Sequence, residues 1–129
     1  ANFNTMIISI RHYDSNMKIG ITIAPPPASN QDGWGIYNGV GKNNWTHKKE
    51  IFEFAKKIID VFDNREDEGI YILPIYVNID PLLDFPYEEV EASFRNKTVV
   101  KRGSDNVHPD KAGMYKISDI HYNWIKAIF

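Results

Sequence analysis

The sequence contains no cysteine, which excludes disulfide bonds and metal sites built on thiolates. It also has no run of about 18 consecutive apolar residues, so no segment is predicted to span a membrane. Neither sign of charge is in large excess, since the formal net charge is −2 at pH 7. Nucleic-acid-binding modules usually carry a basic excess, so we expect no nucleic-acid partner.

The remaining composition is that of an ordinary globular domain, with 43% hydrophobic and 25% charged residues. A chain of 129 residues can bury a sizeable core, so residues 1–129 are predicted to form a single domain. The first residue is Ala1 rather than methionine, and we expect a processed or truncated product. The localisation stays open, with a lean to a secreted or cell-surface protein, because many secreted domains lack disulfides.

The spacing of apolar residues predicts helices and strands in alternation. "KIGITIA" at 18–24 and "IYILPIYVNI" at 70–79 are apolar on both faces, which is typical of buried parallel strands. Pro74 cannot donate a backbone hydrogen bond, which favours a sheet edge for the second strand. A further short strand is predicted at 98–101. Helices are predicted over 2–13, over 46–63 with Thr46 as its N-cap, and from Pro109 onwards.

This order of elements indicates an α/β fold in which helix 46–63 is the right-handed crossover between two parallel strands. If strand 70–79 lies at the edge, strand 18–24 has one bare side, although its composition indicates burial. Two parallel strands alone make a poor sheet. We therefore expect a second polypeptide segment, or residues 98–101 folding back, to complete the sheet.

Asp105 precedes His108 by three positions in "GSDNVHPDKAG", residues 103–113. A carboxylate that accepts the Nδ1 proton of a histidine leaves Nε2 free to take a proton from a serine. Pro109 biases His108 towards an extended backbone and is suited to the first turn of a helix. The same residues also make an ordinary helix start. The spacing alone leaves both interpretations open.

The longer sequence "DNVHPDKAGMYKISDIHYNWI" resembles the last block of the SGNH (GDSL-type) serine hydrolases, in which Asp-x-x-His-Pro is followed by a glycine, an aromatic residue and a terminal helix. Gly113 and Tyr115 match this pattern, with one extra residue between them. The resemblance implies the C-terminal portion of a flavodoxin-like three-layer sandwich with a parallel sheet. It also implies an esterase without a cofactor, in which His108 is the base and Asp105 orients it.

Part of that family's pattern is missing from these residues. No Gly-Asp-Ser tripeptide occurs, and Gly103-Ser104-Asp105 has the same letters in another order, so Ser104 is interpreted as a loop residue. The oxyanion-hole glycine and asparagine would precede Asn2. The resemblance therefore implies that the nucleophilic serine lies on another segment. The expected reaction is hydrolysis of carboxylic esters, with carbohydrate O-acyl esters as a candidate class because the family often acts on them.

Residues 25–45 are predicted to be a long loop, a kind of segment that often carries function. Its aromatic residues Trp34, Tyr37 and Trp45 are candidates for stacking on a sugar ring or an acyl chain, or else they pin the loop to its own domain. Asp80 is expected to cap a turn. His12, His47 and His121 share no spacing, so no metal site is predicted, and His47 and His121 are expected at solvated helix surfaces.

A second function stays open beside the enzymatic one. An SGNH-like segment could serve as a non-catalytic binding or structural module, for example in a cell-surface or phage tail protein.

Overall fold

The computed structural model describes residues 2–29 and 43–129. This part of the chain is a mixed α/β structure, as the alternation of apolar patterns predicts. None of its helices is both long and apolar enough to cross a membrane. The elements, in chain order, are α1 (Phe3–Tyr13), β1 (Ile19–Thr22), α2 (Asn44–Phe62), a 3₁₀ turn (Glu66–Glu68), β2 (Ile70–Leu73), α3 (Ile75–Asn78), β3 (Tyr87–Ser93), β4 (Asn96–Gly103) and α4 (Lys111–Ile128).

The predicted parallel pairing is confirmed. β1 and β2 run parallel, with Ile19 opposite Ile70 and Thr22 opposite Leu73. α2 lies between them in the chain, since parallel strands need a long crossover connection. Both strands therefore end at the same edge of the sheet, called the carboxyl edge below, and α2 begins there.

The two faces of this parallel pair pack against different helices. Isoleucines of both strands form one core cluster with α1 and α2, whose members include Ile7, Ile21, Ile23, Ala55, Ile58, Phe62 and Ile70. Gly20 turns to the opposite face, where an added Cβ would lie 3.0 Å from the indole of Trp124 in α4. Tyr71 meets the same indole edge to face, with ring centroids 5.9 Å apart. Helices on both faces explain why the strands lack polar alternation.

β1 has one paired edge and one open edge. The N–H groups of Ile19 and Ile23 donate to β2 and its flanking residues, at 2.9 and 3.2 Å. The alternation of a parallel ladder turns the N–H and C=O groups of Gly20 and Thr22 the other way. Within residues 2–29 and 43–129, no strand pairs with β1 on that side. Among the described residues, the backbone donors and acceptors of Gly20 and Thr22 therefore have no strand partner on that side.

α2 begins two residues before the predicted position, and Thr46 is not its N-cap. Asn43 has extended backbone, and its side chain accepts a hydrogen bond from the Thr46 N–H at 2.8 Å. Asn44 is buried and donates from Nδ2 to the carbonyl of Ala28. Asparagine is among the best N-cap residues, so Asn43 takes the role that was expected of the threonine.

The predicted strand 70–79 is wrong beyond Leu73. Pro74 ends the strand and precedes the single helical turn of α3. Because proline lacks an N–H, the ladder cannot continue through it. Ile75 and Ile79 instead enter a second core cluster beneath α4, together with Ala28 and Phe85.

An antiparallel hairpin contains the short strand predicted at 98–101, which is confirmed within β4, and a second strand, β3, that was not predicted. β3 pairs with β4, and Val90 lies opposite Val100. The two strands are linked by an ion pair between Lys97 and Glu91 at 2.5 Å. Of the two alternatives for covering β1, the one in which residues 98–101 fold back on it is therefore wrong, because these residues pair with β3. β3 was not predicted because its residues are mostly exposed and include several glutamates, so the sequence shows little apolar alternation there.

Candidate active site

The start of α4 is fixed by its own cap and by the turn over residues 80–84. The side chain of Asp110 caps the helix by accepting from the Gly113 N–H at 2.9 Å. The backbone N–H of Asp110 donates to the carbonyl of Asp84 at 2.8 Å. Gly113 is buried so closely that an added Cβ would lie 2.6 Å from Cβ of Pro109. The residue after His108 is thereby held against the body of the domain.

The 80–84 turn is itself built from carboxylates. Buried Asp84 accepts hydrogen bonds from the Asp80 N–H and from Nζ of Lys116, each at 2.6 Å. Asp80 caps the turn as expected, since its Oδ1 accepts from the N–H groups of Leu82 and Leu83. Those two backbone hydrogen bonds hold the pKa of Asp80 below its ordinary value. Asp84 was not predicted to have a role, because nothing in its sequence spacing distinguishes it from a surface aspartate.

Asp105 organises the loop before α4 through one carboxylate oxygen. Its Oδ1 accepts hydrogen bonds from the N–H groups of Val107 and His108, both at 2.9 Å. The next residue, Asn106, is buried, and its carbonyl accepts from the Ala28 N–H at 3.0 Å. This bond ties the loop to the segment that follows β1, so the loop lies at the carboxyl edge.

The second oxygen of Asp105 meets the imidazole of His108. Oδ2 and Nδ1 are 2.9 Å apart. Partial burial acts to raise the pKa of the Asp105 carboxyl, but the two backbone hydrogen bonds, the ring hydrogen bond and the charge of His108 outweigh it. The net pKa lies below the ordinary value, so Asp105 is a carboxylate at neutral pH. The structure thus brings together the two residues that the spacing singled out.

This geometry determines which ring nitrogen carries the proton. An ionised carboxylate only accepts hydrogen bonds, so Nδ1 of His108 must be the donor. Nε2 of the neutral ring is then a proton acceptor. The His108 side chain is 82% exposed, which leaves the ring accessible to a group from outside the loop. Within the described residues no hydroxyl bonds to the ring, and Ser104 instead uses its N–H to reach the Pro86 carbonyl at 3.1 Å.

A groove lies at the same edge of the sheet, on the α2 side of the segment after β1. Its volume is about 440 Å³, within the range of small-molecule sites. Trp45 lines it from the first turn of α2 rather than from a loop. Trp34 and Tyr37, the other two aromatic candidates, lie outside the described residues. We call this the carboxyl-edge groove, and it is lined by Pro26, Trp45, Lys48, Lys49, Phe52, Tyr76, Ile79 and Pro81.

Two of the other histidines are less exposed than expected. His121 is half-buried, donating or accepting at 3.3 Å with Oγ1 of Thr22 while Nδ1 contacts the Ile117 carbonyl at 2.8 Å. His47 is also half-buried, 3.8 Å from Glu50. Over the ranges 2–29 and 43–129, no three His, Asp or Glu side chains are grouped so as to hold a metal ion.

The sequence reasoning also missed Lys48 and Tyr76 as groove residues. Lys48 was not singled out among the lysines of α2, yet it is half-buried in the groove wall. Tyr76 was placed in a strand, whereas the helical turn of α3 directs it to the groove. No periodic pattern marks either residue.

The chain was compared with protein-family models, with curated protein sequences and with solved structures, and none of the three comparisons gave a match.

Proposed function

We propose that this chain is the C-terminal part of an SGNH-type esterase, with a flavodoxin-like sandwich as the complete fold. The observation that supports this most is the 2.9 Å contact between Oδ2 of Asp105 and Nδ1 of His108, in a loop at the carboxyl edge. Open α/β sheets keep their ligand sites at that edge. The proposed substrates are carboxylic esters, with carbohydrate O-acyl esters as the favoured class, and no cofactor is required.

The proposed mechanism depends on proton transfer through His108. Nε2 of His108 removes the proton of a serine hydroxyl as its oxygen attacks the ester carbonyl. The imidazolium then donates this proton to the leaving alkoxide, which departs as an alcohol. In the second half of the reaction, Nε2 activates a water molecule that hydrolyses the acyl-serine bond. Asp105 stays ionised throughout and stabilises the imidazolium, as in other Ser-His-Asp sites.

The serine and the oxyanion-hole donors are assigned to a polypeptide segment outside these 129 residues. The open edge of β1 supports this assignment, because the backbone groups of Gly20 and Thr22 could accept an added strand there. A strand in that position would end or begin beside the carboxyl edge, where the Asp105–His108 pair lies. Without the added groups, the rate is expected to be lower by several orders of magnitude.

The experiment compares three forms of the tagged chain, each produced in its native host and recovered with whatever binds it. These are the natural chain, His108→Ala, and His12→Ala as a matched control at an exposed histidine at the end of α1. Each sample is treated with a fluorophosphonate, which labels activated serines, and assayed with p-nitrophenyl acetate. The isolated chain is expected to hydrolyse this ester no faster than free imidazole at the same concentration.

We expect a labelled serine on a recovered polypeptide, and we expect His108→Ala to keep that polypeptide while reducing labelling and turnover at least about 1000-fold. His12→Ala should change neither. Equal turnover by His108→Ala, or an assembly without any labelled serine, would contradict the proposal. That result would favour the alternative of a non-catalytic module.

A further inference from the structure

The carboxyl-edge groove contains a cationic side chain, Lys48, that forms no ion pair with any carboxylate in the part of the chain that the structure describes. We propose that this groove binds an acidic sugar unit, meaning a sugar ring that carries a carboxylate. This inference rests on the proposed function in one respect, since that sugar would be part of the ester substrate. Its binding, however, needs neither a serine nor His108.

The walls of the groove suit the face of a sugar ring. Trp45 is 76% exposed, which is unusual for the largest apolar side chain and leaves an indole face free for stacking. Phe52, Tyr76 and Ile79 supply the other apolar surface. Sugar rings present apolar C–H groups on their faces and hydroxyls at their rims. An amphipathic ring therefore fits a groove that has an aromatic wall and a charged rim.

Lys48 differs from its neighbour Lys49 in its surroundings. The ammonium of Lys49 lies 3.8 Å from Glu53 one turn along α2, and both side chains are largely exposed. Lys48 is half-buried, and none of the carboxylates in the described residues forms an ion pair with it. Asp80, next to the groove residues Ile79 and Pro81, is engaged with backbone N–H groups of its own turn.

The backbone adds to this positive potential. The first turn of α2 contains no acidic residue, so the partial positive charge of the helix start is not compensated there. Lys48 lies in that first part of the helix, and Trp45 lies in its first turn. An occupant that brings a carboxylate to Lys48 gains a charge-assisted hydrogen bond and is therefore favoured over one that does not.

Charge and shape together select among possible occupants. A fatty acyl chain would cover the ammonium of Lys48 without pairing it. Inorganic phosphate would pair it but would leave the indole of Trp45 unused. A neutral sugar would use Trp45 alone. An acidic sugar uses both, through ring stacking and a charge-assisted hydrogen bond.

The test is a binding titration of the ¹⁵N-labelled chain with two probes. These are a trisaccharide of galacturonic acid and the neutral galactose trisaccharide with the same linkage. Amide and indole shifts locate the site, and calorimetry gives the dissociation constant. The variants are Lys48→Gln, Trp45→Ala and Lys56→Gln. The last removes the same charge from the same helix, at an exposed residue paired with Asp60 that does not line the groove.

We expect the acidic probe to shift the Trp45 indole and the groove amides and to bind more tightly than the neutral probe. Lys48→Gln should weaken acidic binding about tenfold or more, as loss of a charge-assisted hydrogen bond implies. Trp45→Ala should weaken both probes, and Lys56→Gln should change binding less than twofold. Equal affinity for the two probes, or equal effects of Lys48→Gln and Lys56→Gln, overturns the inference.

Failure of this inference is distinguishable from failure of the proposed function. If the groove shows no preference for the acidic probe but the esterase activity depends on His108, only the acidic-sugar inference is refuted. Selective binding without any labelled serine removes the enzymatic proposal alone.

Discussion

At Gly113, replacement by alanine is predicted to destabilise the protein through tertiary packing, although alanine is the better helix-forming residue. In an exposed helix position, glycine to alanine is stabilising by up to about 1 kcal/mol. At Gly113, however, the new Cβ would lie 2.6 Å from Cβ of Pro109, 2.8 Å from the backbone oxygen of Asp84 and 3.1 Å from Asp84 Cβ. A ring carbon and a backbone oxygen cannot rotate away, so α4 itself must move.

Overpacking of this kind typically costs roughly 1–3 kcal/mol, which exceeds the gain in helix propensity. We therefore expect Gly113→Ala to reduce the free energy of unfolding by about 1–2 kcal/mol, since the two effects partly cancel. For a chain of this size, that corresponds to a melting temperature lower by roughly 4–8 °C. Thermal and urea unfolding, followed by circular dichroism, measure both quantities.

The matched control is Ala112→Gly at the exposed neighbouring position. It should also be destabilising, by at most about 1 kcal/mol, but only through helix propensity. The two variants differ in a second readout. Gly113→Ala pushes on Pro109 and should change the ring signals of His108, whereas Ala112→Gly should not. A more stable Gly113→Ala variant with unchanged His108 signals would refute the packing argument.

Three further predictions concern the residues around the candidate site. Asp84→Ala removes the acceptor for the Asp80 N–H and for Lys116 Nζ. We expect the free energy of unfolding, measured in urea, to fall by about 1–3 kcal/mol. A fall of less than about 0.5 kcal/mol would contradict this role of Asp84. Asp105→Asn presents an amide to the ring of His108, and long-range ¹H–¹⁵N spectra should show the proton moved from Nδ1 to Nε2; an unchanged tautomer contradicts the assigned pair. Because the pKa of Asp105 is lowered on folding, its stabilising contribution is complete above the unfolded pKa of about 4 and is lost as the pH falls through the folded value. The carboxyl carbon of Asp105 should therefore titrate with a midpoint below about 4 in NMR spectra. A midpoint above that value would mean that folding raises the pKa of Asp105 instead of lowering it.

Much of the fold could be predicted because its signals are local. The isoleucines of β1 and the apolar stripe of α2 repeat at the periods of a strand and a helix, and both elements were found. The parallel pairing followed from the crossover rule alone. Pro74 was read as the mark of an edge strand, although its missing N–H ends the strand outright. The strand at 98–101 was predicted and lies in β4, whereas β3 was missed because its residues are mostly exposed and have no apolar face to repeat.

The candidate site likewise has a part that the sequence predicts and a part that it does not. Asp105 and His108 are three residues apart, so their contact depends on one loop and is visible in the sequence. Lys48 and Tyr76 line a common groove only because α2 and α3 meet at the carboxyl edge. Which of several lysines is half-buried there depends on the exact start of α2 at Asn44. Such information is tertiary and has no local signal.

The edge of β1 that has no strand partner in the described ranges also bears on how the chain behaves before it meets the proposed second segment. Unpaired strand edges are templates for self-association, and proteins restrict them with short strands, charge and proline. β1 has four residues, follows Lys18 and is succeeded by the prolines at 25–27. These gatekeepers limit the length of any mistaken pairing to a few hydrogen bonds. A newly synthesised chain should therefore resist aggregation at this edge while keeping it available for the added strand that we propose.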